Sequence, residues 1–253
     1  MKVSVIVPTY HRPAFLAEAL ASVALQRYPP ERFEVIVVHD GPDAARPCWA
    51  HPIPFRWVTQ PHAGLSAAVN RGMEMARGEY LSILSDDDFL YPNKLRVLAE
   101  YLDAHPEADA VCSLPLYVDA RGNSLGTPER SKRWLAANPV ITWETVRRRR
   151  GLVFHGTGIL YRTAMCRHAG PWDVTLTGAE EWEYHLRLLA MGYVFHGLSV
   201  VTTAYRIHPG QKSGRRHRRT AARLALRRLI DARYALRLRE PAPRRADVAA
   251  HAE

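Results

Sequence analysis

Two rhythms of apolar and polar positions alternate along the first hundred residues. Val3 to Val7 (VSVIV), Phe33 to Val38 (FEVIVV) and Tyr80 to Leu84 (YLSIL) are short, nearly unbroken apolar runs. Runs of this length bounded by turn residues suit strands buried on both faces. Phe55 to Thr59 predicts one further strand. Between them the apolar spacing changes to threes and fours, as at Phe15, Leu16, Ala19, Leu20, Val23 and Ala24 after Pro13. That spacing predicts a helix, stopped by Tyr28, Pro29 and Pro30. Gly64 leads into LSAAVNRGMEMARG, a second helix closing at Gly78. Strands alternating with helices predict an α/β chain with a mostly parallel central sheet flanked by helices.

The second half is less regular. A helix is predicted from Pro92 to about Ala104, a strand over Ala110 to Val118, and a hairpin turn at ARGNSLG (Ala120 to Gly126). The segment from Thr127 to Gly151, with RRRR at 147 to 150, reads as irregular. A strand over Gly158 to Arg162, a short helix and the turn GPWD (Gly170 to Asp173) follow. AEEWEYHLRLLAMG then places Trp182, Leu186, Leu189 and Ala190 on one face of a helix closed by Gly192. Val194 to Tyr205 predicts one or two strands, ending in RIHPGQKS.

The most unusual chemistry lies just after the Tyr80 to Leu84 run, where Ser85 is followed by Asp86, Asp87 and Asp88. Three adjacent like charges are costly unless a cation or hydrogen-bond donors face them. Their place is the carboxyl end of a strand, where open α/β sheets bind ligands. Hard divalent cations favour such oxygens, and Mg²⁺ is commonly held by one or two carboxylates plus substrate phosphates. Neither GxGxxG after Val7 nor GxxxxGK[ST] anywhere is present, which removes the signatures of dinucleotide-binding and P-loop proteins.

Charge changes the picture at one end only. The chain of 253 residues carries a formal net charge of +10. From Arg215 onward there are twelve arginines and four acids, so that tail holds +8 of the total. The tail reads as a helix with Leu226, Leu229, Ile230 and Leu236 along one side, followed by a disordered end. A helix of this kind can lie on an anionic membrane surface or pack on the folded body. Nucleic-acid binding through the arginines is disfavoured, since Tyr234 is the tail's one aromatic residue. Three cysteines are too few and scattered for a disulfide framework or a zinc site. The opening MKVSVIVPTY reads as a strand and not a leader peptide, and a cytoplasmic protein, peripheral at the inner membrane face if the tail binds there, is the expectation.

These motifs, in this order, resemble the family 2 glycosyltransferases. VSVIVPTYHRPAFL is similar to the family's opening strand and helix, VIVVHDGPD to its VIVVDDGS, and GLSAAVNRGMEMARGEYL to the helix before its metal motif. SDDDFLYPNKL resembles its DxD region, GPWDVTL its GGFDESL, GAEEWEYHLRLLAMG its GEDWDLWLRLALRG, and YRIHPGQKS its YRxHPGSxS. The resemblance implies a GT-A fold over residues 1–213, with a nucleotide-sugar half (1–100), an acceptor and catalytic half (101–213), and a separate basic tail (214–253).

It also implies roles. Pro8, Thr9, Tyr10, Asp40, Asn70 and Asp86 are expected to contact the donor nucleotide. Within that set, Tyr10 stacks on the base, Asp40 reads it and Asp86 meets the ribose. His39 replaces the family's usual acid beside Asp40. Asp87 and His208 are expected to hold a divalent cation, Mn²⁺ or Mg²⁺. Glu181 takes the place of the catalytic base, and Asp88, Glu180, Trp182 and Lys212 are candidate acceptor or diphosphate contacts, with Asp88 either behind the metal residue or facing the acceptor and Glu180 either structural or acceptor-orienting. The same likeness implies inverting transfer from a nucleotide-diphospho-sugar, a UDP-sugar first among them, to an acceptor hydroxyl in a bacterial glycan, glycolipid or natural product. A sugar nucleotidyltransferase is the rival enzyme class, and an anionic-polymer-binding protein the non-enzymatic one.

Overall fold

The computed structural model describes residues 1–42, 46–149, 155–212 and 232–234. Arg215, Arg216, Leu226, Leu229, Ile230 and Leu236 lie outside that set. The first half alternates as its pattern predicts: β1 (Val3–Thr9), α1 (Pro13–Ala24), β2 (Phe33–Asp40), β3 (Phe55–Gln60), α2 (Leu65–Met75), β4 (Tyr80–Ile83), a two-residue β5 (Phe89–Leu90) and α3 (Lys94–Ala104). The second half contains β6 (Ala110–Val118), β7 (Ser124–Gly126), α4 (Glu129–Ala137), β8 (Val140–Ile141), α5 (Trp143–Arg149), β9 (Ile159–Arg162), α6 (Thr163–Ala169), α7 (Glu180–Ala190) and β10 (Phe195–Arg206).

All ten strands belong to one sheet, whose main path runs β3-β2-β1-β4-β9-β6-β10-β5. The β3-β2-β1-β4 end is parallel throughout, whereas β9 runs antiparallel to both of its neighbours. Side chains along β1 alternate between two cores. Val3, Val5 and Val7 face the side covered by α1 and α3, while Ile6 faces the side of α2, α6 and α7. With both faces covered, every residue of β1 and β2 is buried, which is why their sequences read as unbroken apolar runs.

Two glycines let α2 and its exit lie close to β1. A Cβ on Gly72 would come 2.3 Å from Ile6 Cγ2, and one on Gly78 would come 2.5 Å from the Ser4 amide nitrogen. Gly78 is therefore a packing residue beyond the helix, which ends at Met75 and not at Gly78 as its pattern predicts.

The expectation for 127–151 fails. Two helices, α4 and α5, occupy most of it. α4 starts directly after Pro128 and buries Ser131, Trp134 and Leu135, a narrow stripe in an otherwise polar segment. β10 is one strand, with its register against β6 shifted between Leu198 and Thr203. Within the tail, Tyr234 is 2% exposed, belongs to the core beside α7, and hydrogen-bonds Glu183 through its hydroxyl. Arg233 lies 3.8 Å from Asp173.

Candidate active site

Three parallel strands end at the same edge of the sheet: β1 at Thr9, β2 at Asp40, and β4 just before the acidic triplet. The triplet joins them because Leu84 donates its N–H to Ile6 O at 2.9 Å, extending the β1–β4 pairing by one bond. These ends form one wall of a cleft of about 810 Å³, a volume in the range of small-molecule sites. The start of α7 forms another wall, with Glu180, Glu181 and Trp182 lining it.

The three adjacent acids have different surroundings. Asp86 accepts hydrogen bonds from Thr9 Oγ1 (2.8 Å), the Tyr10 N–H (3.3 Å) and Arg12 Nη1 (3.0 Å). Burial raises its carboxyl above the ordinary value, against the pull of Arg12. Asp87 faces the cleft, with Arg12 Nη1 at 2.8 Å and His208 Nε2 at 3.2 Å from its Oδ2. Asp88 turns inward, 2% exposed, and accepts from Thr157 Oγ1 (2.7 Å) and the Arg206 N–H (2.9 Å). Burial and the neighbouring Asp87 push its carboxyl well above the usual range. Of the two places expected for Asp88, it takes the one behind Asp87 and not one facing the acceptor, fastening the turn before β9 and the end of β10 to the triplet.

His208 reaches Asp87 because β5, directly after the triplet, pairs antiparallel with β10, matching Ala204 with Phe89. Arg206 secures the join. Its guanidinium is buried, donates to Asp87 O at 2.8 Å and Ala120 O at 2.8 Å, and pairs with Glu18 at 2.5 Å.

Asp40 is fully engaged. Its Oδ1 accepts from Gln60 Nε2 and the Ala63 N–H, each at 2.8 Å, while its Oδ2 accepts from the Gly64 N–H at 2.8 Å and meets His62 Nδ1 at 2.9 Å. Three hydrogen bonds hold the carboxylate, and His62, whose Nδ1 lies 3.0 Å from the Asp40 main-chain carbonyl, stands beside it among these groups. His62, half exposed, is the least confined of them. Tyr10 stacks on the His62 ring with centroids 4.2 Å apart, at the end of a turn in which His11 takes a positive φ of 52°. His39 points away from this lining, its Nδ1 2.9 Å from Gly41 O and its ring stacked on Trp57.

Asn70, expected among the nucleotide contacts, is placed elsewhere. Its amide exchanges two hydrogen bonds with the Trp172 main chain, at 2.9 and 2.7 Å, and so clamps the GPWD turn to α2. Pro8, Thr9, Tyr10 and Lys212 line the cleft.

On the α7 wall, a one-turn 3-10 segment (Gly156–Gly158) sets the position of Glu181. The Gly156 N–H donates to Glu181 Oε1 at 2.6 Å, and a Cβ on Gly156 would come 3.0 Å from the Glu181 carboxyl carbon. The same turn receives Lys94, whose buried Nζ donates to Thr157 O and Ser82 Oγ, each at 2.7 Å. Complete burial lowers the Lys94 ammonium to about 7. Glu180, adjacent to Glu181, pairs instead with Lys212.

Sequence reasoning passed over Arg12, His62, Lys94 and Arg206. Only Arg12 had a local signal, as a cation one residue before the helix-starting Pro13; the others depend on partners distant in the chain.

A model of the family described as glycosyl transferase family 2 matches residues 4–168. The chain belongs to glycosyltransferase family 2. An uncharacterised glycosyltransferase of Rickettsia conorii is 25% identical over 225 residues, covering 83% of this chain and 35% of its own length. The family 2 chain thus spans about a third of that relative. An uncharacterised glycosyltransferase of Bacillus subtilis, YwdF, is 24% identical over 193 residues, covering 74% of this chain and 68% of its own. Among solved structures, S. aureus TarS residues 1–349 with UDP-GlcNAc superposes with a TM-score of 0.72 at 21% identity, covering 98% of this chain and 69% of that one. A Pyrobaculum calidifontis mannosyltransferase in complex with GDP-Man and Mn²⁺ gives 0.65 at 19%, covering 96% and 66%. The fold of this family 2 chain is therefore of the GT-A type.

Among the described residues no three His, Cys, Asp or Glu side chains gather as a metal site. Asp87, which lines the cleft, nevertheless has the buried His208 Nε2 3.2 Å from its Oδ2, the two coming from separate strand ends. Two protein ligands with phosphate oxygens completing the shell suit Mg²⁺ or Mn²⁺, so this donor set fits a cation that arrives with a diphosphate.

Proposed function

We propose that this chain transfers a sugar from a nucleotide-diphospho-sugar to an acceptor hydroxyl, with inversion at the anomeric carbon. The observation that carries the reading is that strand-end acids and a helix-start carboxylate line the same cleft. The donor lies along the strand ends, its base against Tyr10 and its ribose toward Asp86. Asp87 and His208 would hold a divalent cation, which when bound neutralises charge on the diphosphate leaving group. Glu181 accepts the proton of the acceptor hydroxyl while its oxygen bonds to the anomeric carbon and the bond to the diphosphate breaks. One displacement of this kind inverts the configuration. The Gly156 N–H orients the Glu181 carboxylate, and Trp182 beside it offers an apolar face to an acceptor. Lys212, paired with Glu180, is positioned to follow the diphosphate once that pair opens.

Uridine is the proposed base, read by Asp40 after His62 yields its place. Thermal-shift measurements with uridine, guanosine and deoxythymidine diphosphates, each with and without Mn²⁺, test the reading. At 100 times Kd a ligand adds about 2.7 kcal/mol of stability. The expected result is the largest shift with uridine diphosphate plus Mn²⁺; no shift with any of them rejects the donor reading, and a larger guanosine shift rejects the base assignment. Contact of the basic tail with an anionic membrane is a separate proposal. Salt-sensitive co-sedimentation with anionic liposomes that is lost on removing residues 214–253 supports it; unchanged sedimentation rejects it.

A further inference from the structure

The positive charge nearest the acidic triplet belongs to the chain itself. Arg12 Nη1 lies 3.0 Å from Asp86 Oδ1 and 2.8 Å from Asp87 Oδ2. Its Nη2 donates to Gly210 O at 3.0 Å. The Asp87 oxygen that meets Arg12 is also the one facing His208, at 3.2 Å. One guanidinium therefore occupies the oxygen on which a cation held by Asp87 and His208 would depend. The two carboxylates need a countercharge, since their side chains are only 6% and 13% exposed and lie side by side.

Arg12 is also placed to move. Its side chain is 27% exposed and lines the cleft, while its carbonyl is fixed by the Leu16 N–H at 2.9 Å as the first bond of α1. The main chain is held, while the guanidinium lies at the cleft and is bonded through its terminal nitrogens alone. If Arg12 left the acids for water, it would give up charge-assisted bonds without replacement. If it left them for a phosphate, it would exchange one set of such bonds for another.

We infer that Arg12 is a resident counter-cation that holds Asp86 and Asp87 in the donor-free protein, and that a divalent cation takes its place on Asp87 as Arg12 passes to the diphosphate. This rests on the donor reading above. Metal and nucleotide then bind cooperatively. A nucleotide supplies an anion for the released guanidinium, whereas metal alone must evict Arg12 with nothing to receive it. Linkage makes the effect reciprocal, so Mn²⁺ strengthens nucleotide binding by the same factor.

The test is Mn²⁺ titration of the full chain, by calorimetry and by electron paramagnetic resonance, first without nucleotide. Arg12→Ala, and Arg12→Gln as a variant that keeps hydrogen-bond donors without the charge, are compared with the wild type. Wild type should bind Mn²⁺ weakly alone, and both variants should bind it about five- to a hundredfold more tightly, the span of ordinary coupling energies. Mn²⁺ should also raise Tm more in the variants than in the wild type, a readout that survives if either is less stable. With uridine diphosphate present, the wild type should gain Mn²⁺ affinity by a larger factor than the variants do. Mn²⁺ affinity that is unchanged or weaker in both variants overturns the inference, as does a lack of Mn²⁺ binding by all three proteins without nucleotide. Tightening in the variants together with no binding of uridine diphosphate upholds the counter-cation and rejects the donor reading instead.

Discussion

On the donor wall of the cleft, the acids stand at the ends of parallel strands whose pairing fixes where each carboxylate begins. On the other wall, they stand in the first turn of α7, a helix positioned by the 156–158 turn and by Tyr234. Asp40 and Asp86 are enclosed by donors from their own half of the chain, with partners within 24 and 77 residues respectively. Glu183 on α7, by contrast, takes its hydroxyl partner from a residue of the tail. Asp40 and Asp86 are thus placed by the first half of the chain, whereas Asp87 and α7 also take partners from residues late in the sequence.

If the two walls have separate duties, the largest effect should come from the α7 wall. Glu181→Gln keeps shape and polarity but cannot take a proton, so turnover should fall by about 10² or more while donor affinity holds. Single-turnover transfer assays beside nucleotide calorimetry would show this; loss of both together would mean that the walls are not separable.

Next in size is Asp87→Asn on the donor wall. Uridine diphosphate affinity in Mn²⁺ should weaken by about tenfold or more, in keeping with loss of a charged interaction of about 1.5–3 kcal/mol. Chelator should do the same to the wild type. Equal affinity in all three conditions breaks the assignment of this wall to a metal-bridged diphosphate.

Lys94 connects the walls and predicts a pH effect on stability. Its native value of about 7 lies below the ordinary lysine value of about 10.4. As pH falls through that window the unfolded chain gains a proton that the native chain does not, so the wild type loses stability. The Tm difference between wild type and Lys94→Met should therefore grow in favour of the wild type from pH 7 to pH 10. A flat difference across that range means that Lys94 is charged in the native protein.

The smallest effect belongs to Glu180→Gln. Its partner Lys212 is nearly half exposed, and a pair of that kind contributes at most about 1 kcal/mol. A few-fold change in acceptor KM with near-normal kcat is expected. A collapse of turnover here, with Glu181→Gln active, would exchange the roles of the two acids.

The first half of the fold was legible because buried parallel strands and amphipathic helices leave strong periodic traces, as at Val3–Thr9 and Pro13–Ala24. α4 left little trace, since three buried residues in nine do not stand out from a polar segment. Of the candidate site, the acids at strand ends could be located, but their orientations could not. Asp86, Asp87 and Asp88 are identical in sequence, and only the turn after β4 sends the last of them inward. Asn70 misled for a related reason. Its partner Trp172 lies 102 residues away, and nothing near Asn70 in the chain announces it.

Gly156 has a consequence for how this enzyme family member could be retuned. The closest approach between its missing side chain and the Glu181 carboxyl carbon is 3.0 Å, so a single hydrogen atom acts as the spacer that sets the reach of the base. A methyl group there would move the carboxylate by a few tenths of an ångström without altering its chemistry. Such a change resembles turning a set screw: the strand ends stay where they are, and under the proposed function what shifts is the size of acceptor that Glu181 can serve.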